Sequence, residues 1–241
     1  MINVEKVYVV HYTRLVERFQ KLNSQFRHYG IEAHYVREFD REALTKDQID
    51  SFYKRDEKAY NNTILKVYGP GANKFRPLSK AEISCTIKHL HAIRNISNEC
   101  SKYGLILEDD VILEDNFVNK FNNYLSRTPS DWDAIFMGNC CGLTTSSPDA
   151  AGQIAFKKEH PASKCADGYI LRKELASKIG ETMSTFHTIS DWELGYQLSL
   201  HGAKVYWWEP ALLSQGSESG LFISTLECSR CKNRGCDGDC V

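Results

Sequence analysis

Leu105-Ile106-Leu107-Glu108-Asp109-Asp110 is the stretch whose reading decides the fold. Three apolar residues run straight into three acids. A short apolar run of this kind reads as a buried strand. Three carboxylates at its end repel one another and resist burial unless a cation compensates them. Magnesium-like ions take one or two carboxylates and complete their shell with water and substrate phosphates. The stretch therefore predicts a central strand whose tip holds a metal-assisted site for a phosphorylated ligand. Taken alone, an acidic triplet is more often a solvated loop that caps the next helix. The apolar run ahead of it shifts the balance, because open α/β sheets bind ligands beyond the carboxyl ends of their strands.

Outward from this strand, the pattern is β-α-β. Residues 6–10 (KVYVV) are β-branched and aromatic, a first strand. Residues 14–28 carry Leu15, Phe19, Leu22 and Phe26 at helical spacing, and Gly30 ends that helix. Residues 31–36 read as a second strand. This opening predicts a parallel sheet with crossover helices. Residues 41–76 are polar and weakly patterned, an excursion of short helices and a mobile loop around the turn cluster Tyr68-Gly69-Pro70-Gly71. Further helices are expected at 115–125 and 173–179, and further strands at 132–137, 168–171 and 203–208, the last halted by Pro210.

Two helix starts carry capping-box spacing. Ser79 and Glu82 open the helix after Leu78, with Leu78 and Ile83 as a hydrophobic staple. Ser190 and Glu193 repeat the device, with Ile189 and Leu194 as the staple. On this reading Glu82 and Glu193 are caps rather than catalytic groups, and Asp191 falls at the first helical position.

The 241 residues suffice for a full core, as one large domain or two small ones. Hydrophobic residues are 42% and charged residues 25%, ordinary for a globular protein. The net charge of -1 gives no electrostatic case for nucleic acid or an anionic membrane. No apolar run is long enough to span a bilayer, and residues 1–10 lack the regions of a signal peptide. A cytoplasmic protein, at most peripheral to a membrane, is the expectation.

Nine cysteines are present. Cys85, Cys100, Cys140, Cys141 and Cys165 are scattered and read as core thiols. Cys228, Cys231, Cys236 and Cys240 crowd into the tail at a spacing close to a zinc knuckle, with turns at Gly235 and Gly238. Four thiolates suit tetrahedral Zn²⁺; two disulfides or a free tail remain open alternatives. The tail has no aromatic residue to stack a base, so RNA binding is not expected.

Three blocks in order resemble glycosyltransferase family 25: Leu78-Ser79, Glu82-Ile83 and Cys85 running to His89; Leu107-Glu108-Asp109-Asp110-Val111; and Ser190-Asp191-Trp192. That family includes bacterial lipopolysaccharide and lipooligosaccharide sugar transferases and collagen hydroxylysine galactosyltransferases. The resemblance implies an α/β GT-A fold, a single Rossmann-like domain over residues 1–225 with a mostly parallel central sheet, followed by the Cys-rich tail, 226–241. It further implies an inverting, metal-dependent hexosyl transfer from UDP-glucose or UDP-galactose to a hydroxyl of a glycan, lipopolysaccharide or glycoprotein, with Mn²⁺ or Mg²⁺ as cofactor.

Carried over residue by residue, Asp110 is the expected metal ligand, and Glu108 with Asp109 faces the donor. Asp191 is the expected base, with Asp167 and Glu218 behind it; its other reading is an acid that complements the helix dipole. His11, Tyr12 and Thr13 follow the first strand, where such a fold receives the nucleotide base; Tyr12 would stack on uracil. Arg18 matches a recurring arginine of that region. Asp40 is placed near ribose or base, His89 in the donor pocket, and Gln215 and Ser217 near the diphosphate. Two departures stand out. Lys88 replaces the serine that usually precedes His89, and residues 215–219 carry no histidine as a late metal ligand. Residues 139–145 are the expected acceptor loop. A non-catalytic glycan-binding or adhesion relative is the alternative reading. A nucleotidyl or phosphoryl enzyme is disfavoured, since neither a P-loop nor a Gly-rich dinucleotide motif is present.

Overall fold

The computed structural model describes residues 1–72, 75–145 and 152–225. In chain order its elements are β1 (Val7–Val10), α1 (Val16–Tyr29), β2 (His34–Val36), α2 (Lys46–Phe52), α3 (Glu57–Tyr60), α4 (Lys66–Tyr68), α5 (Lys80–Glu99), β3 (Tyr103–Glu108) and β4 (Val111–Leu113). Then come α6 (Phe117–Arg127), β5 (Ala134–Phe136), β6 (Ala155–Lys158), β7 (Gly168–Arg172), α7 (Lys173–Thr182), α8 (Ser190–Leu200), β8 (Val205–Trp208) and β9 (Leu213–Gln215).

Seven strands form one sheet in the order β2-β1-β3-β7-β5-β8-β6. β2, β1, β3, β5 and β8 run one way and β7 and β6 the other, so the sheet is mostly parallel, as expected. Helices cover both faces in a Rossmann-like arrangement. The strand period of two sorts side chains between two cores. Tyr8, Val10 and Ile106 join the core built with α5, α7 and α8. Val7, Val9, Leu105 and Leu107 join the core built with α1 and α6. Strands buried on both faces read as continuous apolar runs, which is why the 105–107 stretch was legible. Among the described residues no helix is long and apolar enough to cross a membrane.

Local differences have physical reasons. β2 begins at His34 rather than residue 31. The α1 terminus closes as a Schellman turn: Gly30 sits in the left-handed region at φ 62°, Gly30 N–H donates to Arg27 O, and Ile31 N–H donates to Phe26 O. Ile31 is thereby spent on the helix end. The 41–76 excursion holds short helices and a π-turn at Asn61–Leu65, as expected.

The α5 start is a full capping box. Glu82 N–H donates to Ser79 Oγ, and Ser79 N–H donates to Glu82 Oε2 at 2.8 Å. Leu78 and Ile83 are both buried in one core. The α8 start is not a capping box. Ile189 takes the N-cap position and no side chain caps it. The Ser190 hydroxyl is engaged with the Cys85 thiol. Glu193 turns inward, where its Oε1 accepts from Gln197 Nε2 at 3.1 Å. Burial pushes the Glu193 carboxyl up to about 7. The helix therefore starts one residue early, and Asp191 stands at its second position.

β4 and β9 pair antiparallel as a separate two-stranded sheet, with Val111 opposite Gln215. This ribbon brings residues 215–218 onto the acids at the tip of β3. Cys228, Cys231, Cys236 and Cys240 lie outside the described residues.

Candidate active site

A cleft of about 580 Å³ opens beyond the ends of β1 and β3. That is the size of a small-ligand pocket. Its walls are the residues after β1, the first half of α5, the acids after β3, the start of α8, the turn at residues 140–141, Cys165, and residues 215–218 and 224–225.

The three acids meet three different environments. Asp109 is fully committed to protein partners. Its Oδ2 accepts from Tyr12 N–H at 3.1 Å and from His11 Nδ1 at 2.8 Å, and its Oδ1 accepts from Arg18 at 2.9 Å. An ionised carboxylate only accepts, so His11 Nδ1 carries the proton. Burial pushes Asp109 up, but His11 and Arg18 outweigh it and hold the carboxyl below its usual value. Asp109 therefore fastens β1, α1 and β3 together. Glu108 lies half-buried, with Oε1 3.3 Å from His89 Nε2 and Oε2 accepting from Gln215 Nε2 at 2.9 Å.

Asp110 is different. It is buried, and its Oδ1 has no hydrogen-bond partner. Its Oδ2 is 3.6 Å from Arg18, and Ser217 beside it works to lower the carboxyl. Burial, then the Glu108 charge, pushes it up to about 6. A buried carboxylate oxygen with no partner is a costly feature. Hard oxygen ligands of this kind fit Mg²⁺ or Mn²⁺.

Asp191 enters the cleft from α8. One oxygen accepts from Trp192 N–H at 3.0 Å. Burial, with Glu108 behind it, pushes this carboxyl to about 6 as well. The other two candidate bases, Asp167 and Glu218, are each held by a backbone N–H. Asp167 is wholly buried behind β7, where its Oδ1 accepts from Gly168 N–H at 2.9 Å, and it does not line the cleft. Glu218 lines the cleft but accepts from Cys141 N–H at 2.7 Å.

Several residues expected to contact the donor also hold one another. Thr13 Oγ1 donates to Asp40 Oδ2, and the Lys88 ammonium donates to Asp40 Oδ1 and to His11 O. Asp40 is drawn below its usual value by Lys88 and Thr13 despite its burial. The Tyr12 hydroxyl donates to Glu42, and Arg41 lies over the Tyr12 ring at 4.2 Å. One face of Tyr12 is thus already covered. His89 Nδ1 is 3.0 Å from the Tyr169 hydroxyl.

Lys88 was missed as a site residue. It is buried on α5 four residues from Ser84 and Ala92, both also buried. A lysine on a stripe of small buried residues was the available signal, since buried lysines are paired. The thiols were misread. Cys140 and Cys141 Sγ are 3.5 Å apart. With Cys165 their sulfur atoms all lie within 4.8 Å of one another on the cleft wall, so three of the five scattered cysteines form a cluster rather than separate core thiols. Nothing in their sequence separation announces that meeting.

A profile described as "Glycosyltransferase family 25 (LPS biosynthesis protein)" matches residues 4–204. The human protein "Procollagen galactosyltransferase 2" is 24% identical over 178 residues, 73% of this chain and 27% of that protein. The zebrafish (Danio rerio) "Procollagen galactosyltransferase 1" is 23% identical over 137 residues, 56% of this chain and 21% of its own length. A "Glycosyltransferase 25 family member" of Anopheles gambiae is 24% identical over 207 residues, 84% of this chain and 28% of its own length. The match thus spans 21–28% of the length of each of these relatives.

Proposed function

The chain belongs to glycosyltransferase family 25, and from that premise we propose that it moves a hexose, glucose or galactose, from a UDP-sugar to a hydroxyl of a glycan, lipopolysaccharide or glycoprotein, with inversion. One observation carries the reading: Asp110, with its unpartnered Oδ1, and Asp191 converge on a single cleft at the strand ends.

Asp110 would hold the cation. When bound, Mn²⁺ or Mg²⁺ supplies Lewis-acid compensation for the charge on the departing diphosphate. Arg41 and Arg76 line the cleft and add positive charge for the same group. Glu108, held by His89 and Gln215, faces the sugar and ribose side of the donor. Asp191 is the base. It takes the proton of the acceptor hydroxyl as that oxygen bonds to the anomeric carbon. The anomeric carbon–oxygen bond breaks in the same displacement, and its electron pair leaves with UDP. One displacement with one base gives inversion. Asp109, Lys88, Arg18 and Asp40 keep the backbone of the cleft in place.

The test is UDP release from UDP-glucose and UDP-galactose with and without Mn²⁺, comparing the full chain with Asp110→Asn and Asp191→Asn. The expected result is metal-dependent turnover that Asp191→Asn loses and that Asp110→Asn reaches only at higher Mn²⁺. Binding of UDP-sugar without turnover by the unaltered chain would replace this reading with a glycan-binding or adhesion relative. Unchanged metal dependence in Asp110→Asn would remove the ligand assignment.

A further inference from the structure

The cluster of Cys140, Cys141 and Cys165 has no part in the chemistry above. Three features set it apart from ordinary core thiols. First, the sulfurs are already close to a ligating arrangement. Thiolates about 2.3 Å from a tetrahedral zinc stand roughly 3.8 Å apart; here Cys140 and Cys141 Sγ are 3.5 Å apart and the whole set lies within 4.8 Å. Second, the backbone is held in a costly shape to achieve this. Cys141 has φ 57° and Cys165 has φ 55°, left-handed conformations that non-glycine residues rarely adopt. Third, the neighbours favour a cation. Glu218 Oε1 lies 3.5 Å from Cys140 Sγ, and the carboxylates of Asp167 and Asp191 act on Cys165.

We propose that Cys140, Cys141 and Cys165 form a thiolate site for zinc, with Glu218, which here accepts from Cys141 N–H and stands outside the three-sulfur group, turning in as the oxygen ligand. Sulfur ligands select a softer ion than the oxygen ligands at Asp110, so the two sites take different metals. A four-ligand site is closed and structural. It would clamp the turn at 140–142, the segment before β7 and the segment after β9 into one wall of the cleft.

Cobalt is the probe, because a thiolate-to-cobalt charge-transfer band reports sulfur ligation directly. The tail thiols are removed first, in the full chain carrying Cys228→Ser, Cys231→Ser, Cys236→Ser and Cys240→Ser. Under reducing, anaerobic conditions this protein is expected to bind one Co²⁺ with a charge-transfer band and a tetrahedral visible spectrum. Cys140→Ser and Cys165→Ser should each weaken binding at least about tenfold and diminish the band. Glu218→Gln should weaken binding and keep the band, and Cys100→Ser should change neither. Far-UV circular dichroism checks folding. If the two buried-side variants unfold, Cys141→Ser at the exposed thiol decides, with a diminished band expected. A parent protein with all five thiols reduced and no band overturns the proposal. So does a band that survives Cys140→Ser with Cys165→Ser, or one abolished only by Cys85→Ser.

Discussion

Asp110 and Asp191 are carboxyls raised to about 6 by the same two causes, burial and then the charge of Glu108. For Asp191 the consequence is a pH profile. The groups acting on it are Glu108 from β3, His89 from α5 and Cys165. A base works only when ionised, so kcat should rise with pH through about 6 and level off above it. Asp191→Asn should lower kcat by roughly 10² to 10⁴ and remove that limb, measured as UDP release from about pH 5 to 8. Asp110→Asn should raise the Mn²⁺ concentration for half-activity at least about tenfold, read from a metal titration. Asp167 makes a stability prediction. Burial pushes it from 3.8 up to about 8, so the folded chain retains a proton that the unfolded chain has released. The sign follows from linkage: this carboxyl's contribution favours folding at low pH and is lost as pH rises from 3.8 to about 8. Asp167→Asn should flatten the dependence of stability on pH over that range, measured by urea unfolding at several pH values. Asp110, Asp191 and Gln215 were legible as cleft residues because strand ends and helix starts mark cleft positions. The strut through Lys88 and the thiol cluster were not, because Lys88's partners 77 and 48 residues away leave no local pattern, and neither does the meeting of Cys140 and Cys141 with Cys165.

At the scale of elements, α5 and α8 begin with the same letters and behave differently. Ser79→Ala removes a bonded cap and should cost about 1 kcal/mol. Ser190→Ala removes no cap and should stay within about 0.5 kcal/mol. Denaturant midpoints of the two variants make the comparison. The α8 spacing misled because a local cap competed with a tertiary partner. Gln197 holds Glu193 inside, and Gln197 Oε1 in turn accepts from Thr182 Oγ1 at 2.7 Å. Elements with long apolar periodicity were legible to within a few residues. β4 and β9 were not, since each is three residues long and finds its partner about a hundred residues away.

For the whole molecule, the two cores on either face of the sheet carry stability and the cleft carries the proposed chemistry. Trp208 belongs wholly to the first task. Its ring packs edge-on against Phe121 and Tyr124, and its Nε1–H donates to Thr128 Oγ1 at 2.8 Å. Trp208→Ala should cost about 3–5 kcal/mol and leave the KM for donor unchanged in the fraction that stays folded, checked by thermal melts beside steady-state kinetics. The mostly parallel, helix-covered sheet was legible from the β-α-β opening, while the order of its strands depends on non-local pairing that no window of sequence records. Arg18 donates to the carbonyl of Ile223, 205 residues away, and Arg41 to that of Thr225, 184 residues away. Contacts of such span form slowly, because the loop they close must surrender its freedom first. In a refolding experiment, secondary structure would return early and catalytic turnover last, and a ribosome-bound chain would remain inert until residues 223–225 had emerged.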